Sequence, residues 1–159
     1  MFLKTSDIEF AVAKYFNFRK NLIVPNVSWG FNIHECDLLI VRKSGYAIEV
    51  EIKISKSDFK ADFKKIHKHI DIDNRICEFY YALPQKIYDN CKNLIPNNAG
   101  VIVCDEYVGN NTKKHIYVKL IRKSKRIKGA RKLTNDEQFK LLRLGNMRIW
   151  NLKKKLLKT

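Results

Sequence analysis

The sequence predicts an α/β domain built on a mixed β-sheet. The first observation is a β-hairpin, in which two apolar strand segments, 37–42 and 46–54, flank a three-residue turn at 43–45. The second is that helical segments alternate with short apolar runs, as in sheets that carry helices on their faces. The third is size, because 159 residues with 45% hydrophobic side chains suit one packed domain.

The first elements are a helix, an edge strand and the hairpin. Ser6-Asp7-Ile8-Glu9 has the pattern of a capping box, which predicts a helix running to about Phe18. Residues 22–29 form an extended segment in which Pro25 indicates an edge position, because proline donates no hydrogen bond to a neighbouring strand. In the hairpin, Gly45 supplies the positive φ that a three-residue turn requires.

Caps and apolar runs predict the remaining elements. Ser55-Lys56-Ser57-Asp58 is a second capping signal, and Thr134-Asn135-Asp136-Glu137 is a third, which starts a long last helix. Between the two helices that these caps begin, we expect strand 79–83, helix 85–93, strand 101–104 and edge strand 115–121. The last helix should form one apolar stripe from Phe139, Leu142, Ile149, Leu152 and Leu156.

The positive charge is concentrated in the last third of the chain. The net charge is +16, from 32 Lys and Arg against 16 Asp and Glu. Residues 1–106 carry 15 bases and 14 acids, whereas residues 107–159 carry 17 bases and 2 acids. A lysine-rich composition produced by AT-rich coding would spread the bases evenly, so the clustering favours a polyanion partner, most simply a nucleic acid.

The basic residues that we expect to contact phosphates lie in two segments. We therefore divide the chain into an α/β core, 1–122, and a basic linker with the C-terminal helix, 123–159, packed on or extending the same domain. One group follows the second capping signal and the other crosses that boundary: Lys64, Lys65 and Lys68, then Arg122, Lys123, Lys125, Arg126, Lys128, Arg131 and Lys132.

Neither a membrane span nor a disulfide framework is predicted. The apolar runs fall far short of the roughly 18 residues that a span needs, and the first residues lack the apolar stretch of a signal peptide. No two cysteines form a C-x-x-C pair, and most lie in apolar segments where a thiol packs. We expect a cytoplasmic protein without a membrane partner, with reduced Cys36, Cys77, Cys91 and Cys104.

Acidic side chains converge on the hairpin. Asp37 lies seven residues before Ser44 and Glu51 seven residues after it, so a symmetric turn places the two carboxylates opposite each other. Such cross-strand neighbours have Cβ atoms about 4.5–5.5 Å apart. Because side chains alternate along a strand, Glu49, Glu51 and Lys53 share one face with Asp37. The sequence thus predicts three carboxylates and one ammonium on one face.

Two interpretations of this cluster remain open. Carboxylates this close repel one another, and Mg²⁺, with Mn²⁺ as a substitute, is a natural ion to hold between them and the phosphate of a substrate. Such an ion lowers the pKa of a bound water, and Lys53 beside it would stabilise developing negative charge. The alternative is a solvated sheet face on which Lys53 bridges carboxylates. The acid-x-lysine spacing decides nothing, because it recurs at 58–60 and 62–64.

Asp37 followed by Glu51-Ile52-Lys53 after a short hairpin resembles the core motif of the PD-(D/E)XK, restriction-endonuclease-like nuclease superfamily. The order of the blocks 49–65, 77–84 and 99–105 is similar to a bacterial branch of the superfamily associated with DNA repair. The likeness covers about residues 5–106. Cys36 stands where the superfamily's proline would be.

The resemblance implies a restriction-endonuclease-like fold, a mixed sheet of four to five strands flanked by helices, here with a basic C-terminal helix. It implies Asp37 and Glu51 as metal ligands, Lys53 as the catalytic lysine and the Ile52 carbonyl as a further ligand. Many members also place an acid of the first helix near the metal, a position that Glu9 matches. The capping box explains Glu9 equally well.

Three further acids are candidates for supporting roles around the metal: Glu49, Asp58 and Asp62. For Asp58 the simpler interpretation is an N-terminal helix cap, and the alternative is a residue that orients Lys53 or the substrate. No Gln-x-x-x-Tyr motif follows the helix, so exonuclease activity has no support in the sequence.

The sequence therefore predicts a Mg²⁺-dependent endonuclease that hydrolyses DNA through a metal-activated water, with weak sequence preference because lysines directed at phosphates read no bases. The alternative is a nuclease-fold module that binds DNA without cleaving it. We expect a protein of a bacterium or phage that associates with the nucleoid. RNA as the target and a homodimer both stay open.

Overall fold

Six strands form one mixed sheet that carries helices on both faces. The structure, a computed structural model, describes residues 3–27, 35–63, 74–108 and 114–157. The strands are β1 (Leu22–Val27), β2 (Cys36–Val41), β3 (Ala47–Ile52), β4 (Ile76–Pro84), β5 (Gly100–Val108) and β6 (Lys114–Arg122). The helices are α1 (Thr5–Tyr15), α2 (Lys56–Phe63), α3 (Gln85–Cys91) and α4 (Asn135–Leu156).

The strands lie in the sheet in chain order. β2 runs antiparallel to both of its neighbours, β1 and β3; β3, β4 and β5 are parallel, and β6 returns antiparallel to β5. The predicted α/β class with a mixed sheet is confirmed. The strand count of four to five is wrong, because both predicted edge segments, now β1 and β6, pair with the sheet and bring it to six strands.

The central hairpin has the predicted turn. Gly45 adopts φ of 85°, which only glycine reaches without strain. Its N–H donates to the Arg42 carbonyl at 2.8 Å, and the Arg42 N–H donates to the Tyr46 carbonyl at 3.0 Å. These bonds fix the register that pairs Leu38 with Val50 farther along the strands. The turn therefore determines which side chains of β2 and β3 face each other.

Both faces of the sheet are covered, by different helices. On the first face, α1 buries Ile8 and Val12 against even-numbered residues of the two central strands, Leu38, Ile40, Ile48, Val50 and Ile52. On the second face, Leu141 of α4 packs over β1 and β2, while Phe59 of α2 and Cys91 of α3 pack over β4 and β5. The odd-numbered residues of β3 face the gap between these two groups of helices.

Helix α1 begins earlier than the sequence pattern predicts. Its cap is at Lys4, whose backbone N–H donates to the Asp7 carboxylate at 3.0 Å. The predicted capping box, in which the Glu9 carboxylate accepts the N–H of the capping residue, is wrong. Lys4 is the capping residue, and Asp7 accepts its N–H. The helix ends at Tyr15, short of the predicted end, where Asn17 takes the left-handed conformation common at helix C-termini.

The predicted apolar stripe of α4 does not pack against the sheet. Its five residues are each more than half exposed, and the side chain that the helix buries is Leu141. α4 lies on β1 along a neighbouring stripe, in which Gly145 faces Val24. Periodicity identified an apolar face, but not which face the sheet covers.

No helix in the described ranges is long and apolar enough to cross a bilayer.

The segment after β6 is tied to the core by backbone hydrogen bonds. The N–H groups of Lys125 and Ile127 donate to the Asn98 and Cys77 carbonyls, each at 2.9 Å. The Leu133 N–H donates to the carbonyl of Gly45 in the hairpin turn, also at 2.9 Å. The segment therefore lies at the end of the sheet where β3, β4 and β5 begin.

Glu137 anchors the start of α4. Together with Thr134 it forms the predicted capping box, and its carboxylate also binds Arg131 at 2.7 Å and Arg75 at 2.6 Å. The hydrogen bond from Arg131, helped by the Thr134 N–H and Arg75, holds the pKa of Glu137 well below its usual value. The ionised carboxylate therefore stabilises the folded protein.

We expect Glu137→Gln to lower the free energy of unfolding at neutral pH by about 2 kcal/mol, since it removes the partner of two half-buried guanidinium groups. The pKa of Glu137 is lower in the folded state, so its contribution is present above the unfolded value near 4.5 and is lost as pH falls. Urea titrations should therefore show parent and variant converging in acid. Asp136→Asn, which changes an exposed acid of the same turn, is the control, and an equal loss there would contradict this role.

Candidate active site

Asp37 and Glu51 face each other across the central hairpin. The register pairs Leu38 with Val50, so the next residues outward are Asp37 on β2 and Glu51 on β3. The Asp37 carboxylate is fixed, since its Oδ2 accepts a hydrogen bond from the Ile52 N–H at 2.7 Å. This register agrees with the predicted placement of the two carboxylates on neighbouring strands.

Lys53 completes the cluster at the end of β3. Its backbone N–H donates to the Ala82 carbonyl on β4 at 3.1 Å, which fixes the chain as it leaves the strand. Its Nζ lies 2.8 Å from Glu51 Oε2. The residues Glu49, Glu51 and Lys53 are only 1%, 6% and 7% exposed, so the interpretation of a solvated sheet face is wrong.

Burial and the negative charge of the cluster raise the pKa of Glu51 and of the neighbouring Cys36 thiol. Burial, with repulsion from Asp37, raises the pKa of Glu51 to about 7, against the opposing effect of Lys53. Burial also raises the pKa of the Cys36 thiol well above its usual value, and the charges of Glu49, Glu51 and Asp37 add to the rise. Cys36 therefore stays protonated beside the cluster. Burial and the neighbouring carboxylates therefore both disfavour the ionised forms of Glu51 and Cys36.

Glu9 and Arg148 approach the same cluster from the two sides of the sheet. Burial raises the pKa of Glu9, repulsion from Asp37 adds to the rise and Arg148 opposes it, so all three groups are neighbours. Arg148, from α4, donates to the Asn26 carbonyl. Its Nε is buried and has no hydrogen-bond partner among the described residues.

Arg148 is the residue that the sequence analysis missed. It lies seven positions after Leu141, which places both side chains on the stripe of α4 that faces the sheet. A basic residue on the buried stripe of an amphipathic helix is the signal that could have found it. The predicted stripe lay on another face, so Arg148 was not singled out.

The cluster opens into a cleft of about 610 Å³. Asp58 lies on its wall, but not as the cap of α2. Ser55 is the cap, because its Oγ accepts the Asp58 N–H at 3.1 Å, and Asp58 lies in the first turn with its side chain exposed. The side chain of Asp62 lies outside the described residues. The wall of the cleft is formed by Thr5, Asn26, Val27, Glu35, Cys36, Asp37, Glu51, Ile52, Lys53, Asp58 and Arg148.

The predicted basic segment lies away from this cleft. The segment borders the start of β3, whereas Lys53 follows the end of that strand. At the usual rise per residue of a strand, the two ends of β3 are about 20 Å apart. Within the segment, Arg122 donates to the Ala99 and Pro96 carbonyls, and Arg131 binds Glu137. These two guanidinium groups hold the fold together.

The other predicted bases of the segment are exposed: Lys123, Lys125, Arg126, Lys128 and Lys132. Arg126 stacks over the Tyr46 ring at 4.3 Å, and Lys132 lies 5.7 Å from the same ring. Lys64, Lys65 and Lys68 lie outside the described residues. Nearer to the cleft is the last turn of α4, which follows Arg148 and carries Lys153, Lys154 and Lys155.

The donor set fits a hard divalent cation. Within the described ranges no three His, Cys, Asp or Glu side chains converge into a ready-made metal site. Mg²⁺, however, is commonly held by one or two carboxylates, waters and substrate phosphates rather than by a full protein cage. Asp37 and Glu51 provide those two carboxylates beside an open cleft, and the Ile52 backbone adds a carbonyl. A cation held between Asp37 and Glu51 would relieve the repulsion that raises the pKa of Glu51.

The fold and the site together define a class: an α/β protein with a buried carboxylate and lysine cluster at the carboxyl end of a central sheet strand. A solved structure with this architecture is that of the SPO1766 protein of unknown function from Silicibacter pomeroyi, with a TM-score of 0.61. The two chains are 16% identical over 92% of this chain and 86% of that one, so the likeness shows the fold alone. No family model and no curated protein matches the sequence.

Proposed function

We propose that this protein is a metal-dependent nuclease that hydrolyses phosphodiester bonds of DNA, a member of the PD-(D/E)XK superfamily. The observation that carries the proposal is the buried arrangement at the cleft: Asp37 faces Glu51 across the hairpin, and Lys53 Nζ lies 2.8 Å from the Glu51 carboxylate. Structural ion pairs also place lysine on a carboxylate. They do not require a second carboxylate, held facing the first at the mouth of an open cleft.

Each residue of the cluster has a distinct role in this proposal. Asp37 and Glu51, with the Ile52 carbonyl, would hold Mg²⁺, which lowers the pKa of a coordinated water and neutralises charge on the phosphate. Lys53 would orient the attacking water and stabilise the negative charge that develops on the phosphoryl oxygens. The Ile52 N–H, by binding Asp37 Oδ2, fixes the direction of that carboxylate before any ligand arrives.

Positive charge around the cleft supports a polyanionic substrate. Arg148 lies on the wall of the cleft, with Lys153, Lys154 and Lys155 farther along the same helix. Lysine and arginine contacts to phosphates provide affinity without reading sequence. We therefore propose weak sequence preference and an affinity that falls steeply with salt.

The test compares cleavage of supercoiled, linear, single-stranded and forked DNA in Mg²⁺, in Mn²⁺ and in EDTA. We expect nicked or shortened products with either metal and none with EDTA. A parallel calorimetric titration should detect Mn²⁺ binding to the protein alone. If Mn²⁺ binds nowhere and every substrate stays intact, the nuclease proposal is wrong.

A second candidate is a DNA-binding module without turnover. The position of the exposed basic segment favours it, because Lys123, Lys125, Arg126, Lys128 and Lys132 lie at the end of the sheet remote from the cleft. Binding that persists in EDTA and weakens with salt, with no cleavage in either metal, would establish this function instead.

A further inference from the structure

A groove continues from the cleft along the carboxyl ends of the parallel strands. It encloses about 800 Å³, and Asp58 belongs to the walls of both cavities. Its other walls include Ile54 after β3, Pro84 at the end of β4 and Asp105 on β5. Because these strands are parallel, their last residues lie at the same edge of the sheet. The groove therefore crosses from β3 to β5.

Three aromatic rings, joined through Tyr107, lie at the β5 end of this groove. The Tyr107 and His115 rings are stacked with centroids 5.3 Å apart, and Tyr117 lies 6.4 Å from Tyr107. The Tyr117 hydroxyl donates to Asp105 at 3.3 Å, which joins the rings to the wall of the groove. Tyr107 and Tyr117 are 53% and 44% exposed. We call Tyr107, His115 and Tyr117 the aromatic cluster.

The aromatic cluster lies within reach of the cleft. Ile52 pairs with Ala82 and Ala82 with Ile102, so Lys53 is level with Val103 two strands away. Tyr107 is four residues farther along β5, and standard strand spacings then give a backbone separation of roughly 16 Å. Lys53 and Tyr107 belong to the same face of the sheet. Val103 is level with Lys53, and Tyr107 lies four residues farther along β5, so alternation along the strand returns its side chain to the same face. The path between them is the groove.

The charge of the groove indicates which part of a nucleic acid would enter it. Asp58 and Asp105 on its walls would repel phosphates, whereas Ile54, Pro84 and Ile87 offer apolar contact to bases. Carboxylates can accept hydrogen bonds from base amino groups. Lys119 is exposed on β6, where its ammonium group can contact phosphates. A DNA strand can turn its bases into the groove and its phosphates outward only where those bases are unpaired.

From this placement we propose that the aromatic cluster is a stacking platform for bases of single-stranded DNA, which runs along the groove toward the cleft. The inference rests on the proposed nuclease function and specifies its substrate: DNA with an unpaired segment. Stacking on an aromatic ring is tolerant of sequence, because every base has a π face. Cross-strand aromatic pairs can also simply stabilise a sheet, a role that makes no difference to DNA binding.

The test measures binding in EDTA by fluorescence anisotropy, so that catalysis plays no part. Probes are a labelled single strand, a blunt duplex and a duplex with a single-stranded tail. Replacing Tyr107 and Tyr117 together by Ala should weaken binding of the single strand and the tailed duplex about 5- to 100-fold. Binding of the blunt duplex and the slope of log affinity against log salt should not change, because no phosphate contact is lost.

Two variants separate stacking from other roles. Tyr117→Phe keeps the ring and loses only the hydroxyl bond to Asp105, so it should bind like the parent. Phe139→Ala removes an equally exposed ring from α4 and should also have no effect. Melting temperatures establish that each variant folds. Equal weakening on all three probes, or none on any, would overturn the platform. Because cleavage is scored separately in Mg²⁺, a protein that cleaves but shows no such preference would refute the platform alone.

Discussion

Lys53→Met should reduce DNA cleavage by about 10²- to 10⁴-fold while leaving the affinity for Mn²⁺ and for DNA near that of the parent. Methionine keeps most of the buried aliphatic stem and removes the ammonium group that lies 2.8 Å from Glu51 Oε2. In our proposal that group acts on the reacting phosphate, and not as a ligand. The loss should therefore appear in kcat, measured under single-turnover conditions at saturating metal and DNA.

Lys60→Met is the matched control for this change. Lys60 ends a second acid-x-lysine sequence, Asp58-Phe59-Lys60, but it lies exposed on α2, so its loss should not affect cleavage. Removal of Lys53 also leaves the Glu51 carboxylate without that ammonium, so the folded fraction is checked by melting in Mn²⁺. Cleavage by Lys53→Met at the parent rate would restrict Lys53 to a structural ion pair.

The hairpin and its site were predictable because both depend on local information. A three-residue turn with Gly45 at positive φ fixes the register, and the register places Asp37 opposite Glu51 whatever the rest of the chain does. Alternation along one strand then places Lys53 beside them. Local runs of apolar residues likewise identified each strand segment. These runs did not give the number of strands in the sheet, since pairing of β1 and β6 is a contact between segments.

What the sequence did not reveal depends on packing between distant elements. The burial of Glu49 depends on elements packed around β3 from elsewhere in the chain, which no pattern within the hairpin encodes. Arg148 reaches the site only because α4 runs from the hairpin turn toward the cleft. Glu9 was matched by position, but its capping role was an error of local pattern, since the helix is capped at Lys4 and Asp7 accepts the Lys4 N–H.

Among the sequence signals, the distribution of charge was the poorest guide to the structure. The concentration of bases after residue 107 is real, but composition does not distinguish Arg122 and Arg131, which hold the fold together, from exposed lysines. Nor does it show that the segment and the cleft lie at opposite ends of the sheet. A positive segment therefore predicts that a polyanion binds, and the fold shows where that segment lies relative to the cleft.

Asp37→Asn should lose Mn²⁺ binding and cleavage together, which distinguishes it from Lys53→Met. The amide oxygen of asparagine can still accept the Ile52 N–H that Asp37 Oδ2 accepts at 2.7 Å, so the hairpin should keep its geometry. The negative charge is lost. We expect calorimetric Mn²⁺ affinity to fall by more than the roughly 10- to 100-fold that loss of a residue supporting a metal ligand costs.

The metal-free variant should be at least as stable as the parent. Asp37 raises the pKa of both Glu51 and Glu9, so its charge opposes folding at any pH where they ionise. Relief worth about 1 kcal/mol would raise the melting temperature by roughly 2–4 °C. Parent protein should melt higher when Mn²⁺ is added, and Asp37→Asn should not.

Glu35→Gln provides the comparison within the same cleft. Glu35 lies on its wall but is exposed, so its variant should keep both the affinity for Mn²⁺ and the metal-induced rise in melting temperature. Suppose instead that Asp37→Asn is less stable than the parent without metal and still binds Mn²⁺. Asp37 would then serve only as the acceptor for the Ile52 N–H, and the proposed ligand set would be wrong. We expect Asp37→Asn instead to gain stability and to lose metal binding. That combination is typical of a functional cluster, in which repulsion between carboxylates is tolerated because a cation relieves it.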